Sequence, residues 1–204
     1  MHIVVTGNIG AGKTTLTELL ARYYSWTPYY EDVDENPYLD DFYTNMQRWS
    51  FNLQVYFLNS RFSQLLEIQN SSGSAIQDRS IYEDAYIFAP NLHAMGLMET
   101  RDFETYYSLF KHVVSLVKPP DLLIYLRASV PTLVRQIQRR GRTYEEGIRI
   151  DYLKKLNERY EDWISSYDSG RLLIIDVDVT QFSEHQEYLS EIIDKVNAEL
   201  HGLF

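Results

Sequence analysis

Residues 7–14 read Gly7-Asn8-Ile9-Gly10-Ala11-Gly12-Lys13-Thr14, and they fit the pattern G-x-x-x-x-G-K-[ST] at every fixed position. Glycines at these places let the backbone turn tightly, so that successive N–H groups and a helix N-terminus converge on anionic oxygens. Lys13 can then reach the outer phosphates of a nucleotide. The Thr14 hydroxyl can ligate the Mg²⁺ that accompanies them, with Thr15 beside it at the helix start. The alternative is a glycine-rich turn with a stray lysine. The flanks argue against it, because Ile3-Val4-Val5 reads as a buried parallel strand and 14–24 has helical periodicity. The loop therefore predicts nucleotide-phosphate binding, and leaves open what receives the phosphate.

The rest of the chain alternates in the same way. Strands are expected at 2–6, 28–31, 74–78, 121–127 and 172–176. Helices are expected at 13–24, 37–70 with an early break, 80–89, 99–118, 130–139, 149–168 and 183–199. Pro119-Pro120 ends one helix and Pro131 opens the next. This is an α/β pattern: a five-stranded parallel sheet flanked by helices, within the size of one domain at 204 residues. Ligands of such sheets bind beyond the carboxyl ends of the strands, so polar residues just after each strand become candidates for chemistry.

Charge narrows the partners. A formal net charge of -10 argues against nucleic acid or an anionic membrane as the main partner. Yet Arg127, Arg135, Arg139, Arg140, Arg142 and Arg149 crowd into one stretch, which points to a small anionic ligand. No apolar run approaches the ~18 residues of a membrane span, and cysteine is absent, which excludes disulfides and thiolate metal sites. A cytoplasmic protein is expected. His2, His93, His112, His185 and His201 show no metal-ligand spacing.

Glu31 follows the second strand, where a carboxylate can act as general base or positioning group for an acceptor hydroxyl. Asp78-Arg79-Ser80 follows the third, with Asp78 placed to help hold Mg²⁺ and Arg79 to meet phosphate oxygens or the acceptor. Ser80 can instead simply cap the next helix, with Asp78 and Arg79 a surface pair. Arg135, Arg139 and Arg142 share one spacing series with Arg140 beside it, and Gly141 breaks the segment. A mobile arginine-rich lid over about 135–147 fits this pattern, against the alternative of an exposed basic helix face. Within 37–70, Tyr38, Tyr43, Trp49, Phe51, Tyr56, Phe57 and Phe62 read mainly as core. Gln54 and Arg61 share a face among them, and a buried amide there can pair with the edge of a nucleobase.

Taken together these stretches resemble the deoxyribonucleoside kinases, in their bacterial deoxyadenosine/deoxyguanosine form. The resemblance runs through 7–14, Glu31-Asp32-Val33, 54–61, Asp78-Arg79-Ser80-Ile81-Tyr82-Glu83-Asp84, 86–89, 140–148 and Asp151-Tyr152-Leu153. It implies a P-loop kinase fold and transfer of the γ-phosphoryl of ATP, with Mg²⁺, to the 5′-hydroxyl of a deoxyribonucleoside. By the same resemblance Glu31 is the base near that hydroxyl, with Val33 and Arg79 beside it. Tyr43 and Glu145 bind the sugar 3′-OH. Gln54 pairs with the base, Arg61 and Asp84 stand at its far edge, and Phe88 stacks on it. Arg140 and Arg142 meet the donor phosphates, and the loop at 176–182, beginning with Asp176, lies near the donor base. Homodimers are implied, and the segments 37–70 and 99–118 offer an apolar face. Three departures matter. Asn36 stands where mammalian members carry tryptophan, Asp78 replaces a glutamate, and Gln136 occupies the first lid-arginine position, leaving Arg135 or Arg139 to substitute. Phe57 leans the pocket towards purines. The nearest rival, a nucleoside monophosphate kinase, must grip an acceptor phosphate that Glu31 would repel. A GTP-dependent switch lacks its Asn-Lys-x-Asp signature here.

Overall fold

The computed structural model describes residues 1–31, 33, 35–142, 145, 147–180, 182 and 186–202, with Gln186 described by its backbone. Asp32, Thr143, Tyr144, Glu146, Gln181 and His185, all within stretches singled out above, lie outside these residues, as does the expected start of the last helix at 183.

Five strands form one all-parallel sheet: β1 (His2–Gly7), β2 (Thr27–Tyr29), β3 (Ala75–Asp78), β4 (Leu122–Arg127) and β5 (Arg171–Asp176), in the order β2-β3-β1-β4-β5. The side chains of β1 and β4 alternate between two cores. Val4, Leu123 and Tyr125 pack into one, while Ile3, Val5, Leu122, Ile124 and Leu126 pack into the other. A period of two with both faces apolar is the signature of a sheet covered on each side. Around it lie α1 (Lys13–Tyr24), α2 (Leu39–Thr44), α3 (Met46–Asn70), α4 (Ile81–Glu83), α5 (Ala89–Ala94), α6 (Thr100–Val114), α7 (Val130–Arg140), α8 (Ile150–Ser165) and α9 (Gln186–His201). Among the described residues no helix is long and apolar enough to cross a membrane.

The expected break in 37–70 falls at Asn45, whose side chain accepts the Arg48 N–H at 3.1 Å and restarts the helix as α3. The second strand runs Thr27–Tyr29 where 28–31 is expected, and three helix ends differ by three residues or more. The segment from Ser80 widens into a π-helical turn at Asp84–Phe88, where the Ala89 N–H reaches back five residues to the Asp84 carbonyl, before continuing as α5 to Ala94 with Pro90 in its first turn. Helix α6 stops at Val114, ahead of the prolines, where Leu116 and Val117 bond back three residues instead of four. Helix α8 stops at Ser165, where the hydroxyls of Ser165 and Ser166 both take the carbonyl of Asp162.

Register places the chemistry. Val5 lies opposite both Asp78 and Ile124, and Gly7 opposite Leu126. The phosphate loop, the Asp78-Arg79 turn and the segment from Tyr29 to Glu31 therefore leave the sheet together at the carboxyl ends of its strands.

Candidate active site

The loop after β1 is shaped by two left-handed glycines, Gly10 at φ 85° and Gly12 at φ 92°. A Cβ on Gly10 would stand 2.9 Å from the Leu133 carbonyl oxygen and 2.8 Å from Ile137 Cγ1, so the loop can lie this close to α7 only with glycine. No side chain caps α1 and its first turn carries no acid, which leaves its N–H groups and positive pole for an anion. Lys13 Nζ donates to the Asn8 carbonyl at 3.1 Å. Burial, reinforced by Arg79, lowers its pKa to about 8. Asn8 in turn ties the loop to α8, its Nδ2 donating to Leu153 O and Asn157 Oδ1, both at 3.1 Å.

Two cavities open on this loop. The first, about 390 Å³, is lined by Ile9, Lys13 and Thr14 of the loop, by Glu31, Asp78 and Arg79 just after β2 and β3, and by Val33, Tyr43, Gln54, Phe57, Asp84 and Phe88. The second, about 940 Å³, is lined by Gly10, Gly12 and Thr15 of the loop, by Arg135, Gln136 and Arg139 of α7, and by Val177, Asp178, Thr180 and Phe182 after β5. Gly10, Lys13, Thr14, Arg140 and Arg142 line both. Lys13 and Thr14 thus stand where a phosphate in the second cavity would meet an acceptor in the first. Gly7, Asn8 and Ala11 are buried inside the loop and line neither cavity.

Charge inside the first cavity is tightly paired. Glu31 Oε1 receives Arg61 Nη2 at 2.7 Å, and Arg79 Nε lies 3.3 Å from it. Burial alone would raise this carboxyl, but Arg79, Arg61 and Lys13 outweigh it and hold its pKa at about 2. Arg61 also meets Asp84 through Nη1 at 2.9 Å, so one guanidinium spans both acids. Burial pushes Asp84 up to about 7 in spite of that pair. The guanidinium groups of Arg61 and Arg79 lie over the rings of Phe57 and Phe88 at 4.8 and 4.6 Å. Gln54 is buried, and among the described residues its Oε1 has no partner. Thr14 Oγ1 donates to Asp78 Oδ2 at 2.5 Å, while among the described residues Asp78 Oδ1 is buried without a partner.

Some expected members stand elsewhere. Asp176 lines neither cavity. Its carboxylate accepts the Asp178 N–H at 2.9 Å and shapes the loop whose Val177, Asp178, Thr180 and Phe182 do line the second. Of the clustered arginines, Arg127 is held by Glu161 at 2.8 Å and Arg149 by Asp151 at 2.8 Å, both away from the cavities. Arg135 and Arg139 both reach the second cavity, with Gln136 between them. Glu145 lines the first cavity and is ion-paired with Arg140. Tyr152 lines that cavity too and carried no expected role. Its spacing with Leu153, Leu156 and Tyr160 reads as an ordinary apolar helix face, which conceals a pocket residue.

The comparisons accord with this geometry. The sequence profile of the family described as deoxynucleoside kinase matches residues 3–201. The deoxyadenosine/deoxycytidine kinase of Bacillus subtilis (strain 168) is 38% identical over 98% of this chain and 93% of its own length. The deoxyguanosine kinase of Lactobacillus johnsonii is 38% identical over 97% and 92%. Among solved structures, the deoxyadenosine kinase from M. mycoides with dCMP and dCDP bound superposes with a TM-score of 0.87 at 29% identity, covering 97% of this chain and all of that one. The same kinase with dATP bound gives 0.85 at 30% identity over 97% of this chain and 99% of its own. On the phosphate loop, the sheet order and these matches, the chain belongs to the deoxynucleoside kinase family.

Proposed function

We propose that this family member transfers the γ-phosphoryl of ATP to the 5′-hydroxyl of a purine 2′-deoxynucleoside, deoxyadenosine or deoxyguanosine, and that it does so in the cytoplasm as a salvage reaction. The observation that carries the reading is the meeting of two cavities at Lys13 and Thr14, with Glu31 on the acceptor side. The donor lies in the second cavity with its phosphates on the loop and its base near Val177, Asp178 and Phe182. The acceptor lies in the first. Its base meets Gln54, whose unpartnered Oε1 needs a donor such as the exocyclic amine of adenine or guanine. Arg61 and Asp84 stand at the base's far edge, Phe57 and Phe88 flank it, and Tyr43 and Glu145 take the sugar 3′-OH.

Because the Glu31 carboxyl is held at about 2, it is a weak proton acceptor and a strong orienting group. That suits phosphoryl transfer through a loose transition state, where positioning and charge stabilisation supply most of the rate. Lys13 and Arg79 face the charge that develops on the transferring group. We assign residues 135–147 as a lid, with Arg140 and Arg142 turning to the donor phosphates and Arg135 and Arg139 behind them. The unpartnered Asp78 Oδ1 and the Thr14 hydroxyl are hard oxygen donors of the kind Mg²⁺ takes alongside phosphate oxygens and water. When bound, the cation would neutralise phosphate charge. A homodimer is part of the proposal, supported by apolar side chains left exposed on α3 and α6, such as Leu66 and Leu109.

The test is ATP-dependent phosphorylation of deoxyadenosine, deoxyguanosine, deoxycytidine, thymidine, the ribonucleosides and the 5′-monophosphates. Monophosphate product from purine deoxynucleosides, with thymidine inert, is the expected result. Turnover of the monophosphates alone would transfer the chain's role to the rival kinase chemistry.

A further inference from the structure

Glu83 has no exposed surface, takes no part in the chemistry above, and is the acid at the end of a short helix. A carboxylate that serves only as a helix cap needs one oxygen for the task. Here Oε2 performs it, accepting the Ser80 N–H at 2.6 Å. The other oxygen, Oε1, is engaged elsewhere. It accepts the Tyr160 hydroxyl of α8 at 2.7 Å and the Gly7 N–H of the phosphate loop at 3.4 Å, and lies 3.9 Å from Arg79 Nη1. Arg79 Nη1 also donates to the Tyr160 oxygen at 3.3 Å. One buried oxygen therefore joins the start of the phosphate loop, the turn after β3 and the helix that follows the lid.

What it holds is strained. Arg79 has φ 71°, one of two described non-glycine residues in the left-handed region. Such a conformation is unfavourable for any side chain with a Cβ. It persists only where the surroundings over-determine it. Its N–H is fixed to the Val5 carbonyl at 2.9 Å, and the next N–H, that of Ser80, is fixed by Glu83. The side chain is then aimed by the Tyr160 hydroxyl on one edge and by Glu31 on Nε. Burial and Glu83 keep the Tyr160 hydroxyl protonated, well above the ordinary tyrosine range, so it always has a proton to give to Glu83.

We propose that Glu83 and Tyr160 form a positioning pair for phosphoryl transfer, presenting Arg79 to the reacting groups and fixing its distance from the phosphate loop. The inference rests on the kinase reading, and the parent enzyme's own turnover of a deoxynucleoside tests that reading separately. Neither residue lines either cavity, so both act through Arg79, the Glu83 contact with the Gly7 N–H serving to set its distance from the loop.

The experiment is a pair of double-mutant cycles on the full chain. Glu83→Gln and Tyr160→Phe are each made in the parent and in an Arg79→Ala background, with ATP and the nucleoside varied. In the parent, kcat is expected to fall about tenfold to a hundredfold for Glu83→Gln, and by roughly threefold to tenfold for Tyr160→Phe, as small misplacements of a catalytic group do. KM for both substrates should stay within about threefold. In the Arg79→Ala background each second change should cost less than about twofold, since the group being aimed is gone. A purely structural role would lower the two backgrounds alike and move KM and thermal stability together. Either that result, or turnover of Tyr160→Phe within twofold of the parent, overturns the proposal. Where Glu83→Gln gives no folded enzyme, the Tyr160→Phe cycle, which removes one hydroxyl and keeps the ring, decides alone.

Discussion

Arg140 Nε lies 3.1 Å from Glu145 Oε2, and its Nη2 meets Oε1 of the same carboxylate. The fork-to-fork pair joins an arginine assigned to the donor phosphates with an acid assigned to the acceptor's sugar. Arg142 Nη1 approaches the same Oε1 at 3.9 Å. A 3′-hydroxyl arriving at Glu145 would compete for lone pairs that the arginine now occupies. Glu145→Gln is therefore expected to raise the acceptor KM about tenfold to a hundredfold, the range for a lost hydrogen bond to a charged group. It should also remove discrimination between the 2′-deoxynucleoside and its 2′,3′-dideoxy analogue. Steady-state kinetics with both acceptors measure this, and retained discrimination would take Glu145 away from the sugar.

Lys13 gives a pH dependence with a definite sign. Its pKa is lowered to about 8 in the free enzyme, so the ammonium is lost as pH rises through that value. The expected profile of kcat/KM for ATP is level below pH 8 and falls above it. Bound phosphates restore the charge, so kcat alone should stay level to higher pH. A kcat/KM profile that remains level to pH 10 would show that burial of Lys13 does not act as described.

Gln54→Leu keeps the shape and burial of the side chain and removes its unpartnered oxygen. The nucleoside KM is expected to rise about tenfold or more, while the KM for ATP changes by less than about twofold. Thermal stability should hold or rise, because a buried polar group without a partner is unfavourable in the empty protein. A panel of bases separates recognition from packing, since the loss should be greatest for the bases that offer an amine at that edge.

How much of this was legible in the chain follows from the range of each interaction. The apolar runs at Ile3-Val4-Val5 and 122–126 are local, and the sheet reads directly from them. The phosphate loop and the turns after the strands are legible for the same reason, because residue type and place in a strand–turn–helix unit specify them. Glu83 and Tyr160 are 77 positions apart and meet only once α8 is packed, so neither shows from spacing. Arg127 and Arg149 misled because each finds a carboxylate of its own, Glu161 or Asp151, which composition cannot reveal. The π-helical turn at Asp84–Phe88 breaks the helical period where Asp84 must face Arg61, and a fixed period of 3.6 has no signal for it.

Gly10→Ala tests the closeness of the loop to α7. The left-handed φ and the approach of the new Cβ to the Leu133 carbonyl act together, since backbone cannot move aside as a flexible side chain can. A loss of about 1–3 kcal/mol in stability and a marked rise in the KM for ATP are expected. Denaturant unfolding with and without ATP distinguishes the two, because a loop that still binds ATP normally would show that the strain is absorbed elsewhere.

The last prediction concerns the charge balance around Arg61. Its guanidinium stands between Glu31 at 2.7 Å and Asp84 at 2.9 Å, with its side chain 3% exposed. Glu31 keeps Arg79 when Arg61 is removed, but Asp84 loses its direct partner in a fully dry setting. Arg61→Leu should therefore cost about 3–5 kcal/mol, the range for breaking one side of a buried pair. For a chain of this size that corresponds to a drop of roughly 10 °C in Tm. Protonation offers Asp84 a way out, since its pKa of about 7 would climb further without the arginine. The destabilisation should then be largest at alkaline pH, where the carboxyl is charged, and shrink as pH falls below 7. The double variant Arg61→Leu with Asp84→Leu removes both charges and should recover most of the loss at every pH, although nucleoside binding stays weak. Thermal unfolding from pH 5 to 9 on the two variants measures this. A single variant whose loss is independent of pH would place the cost in packing against Phe57 and not in the unpaired acid.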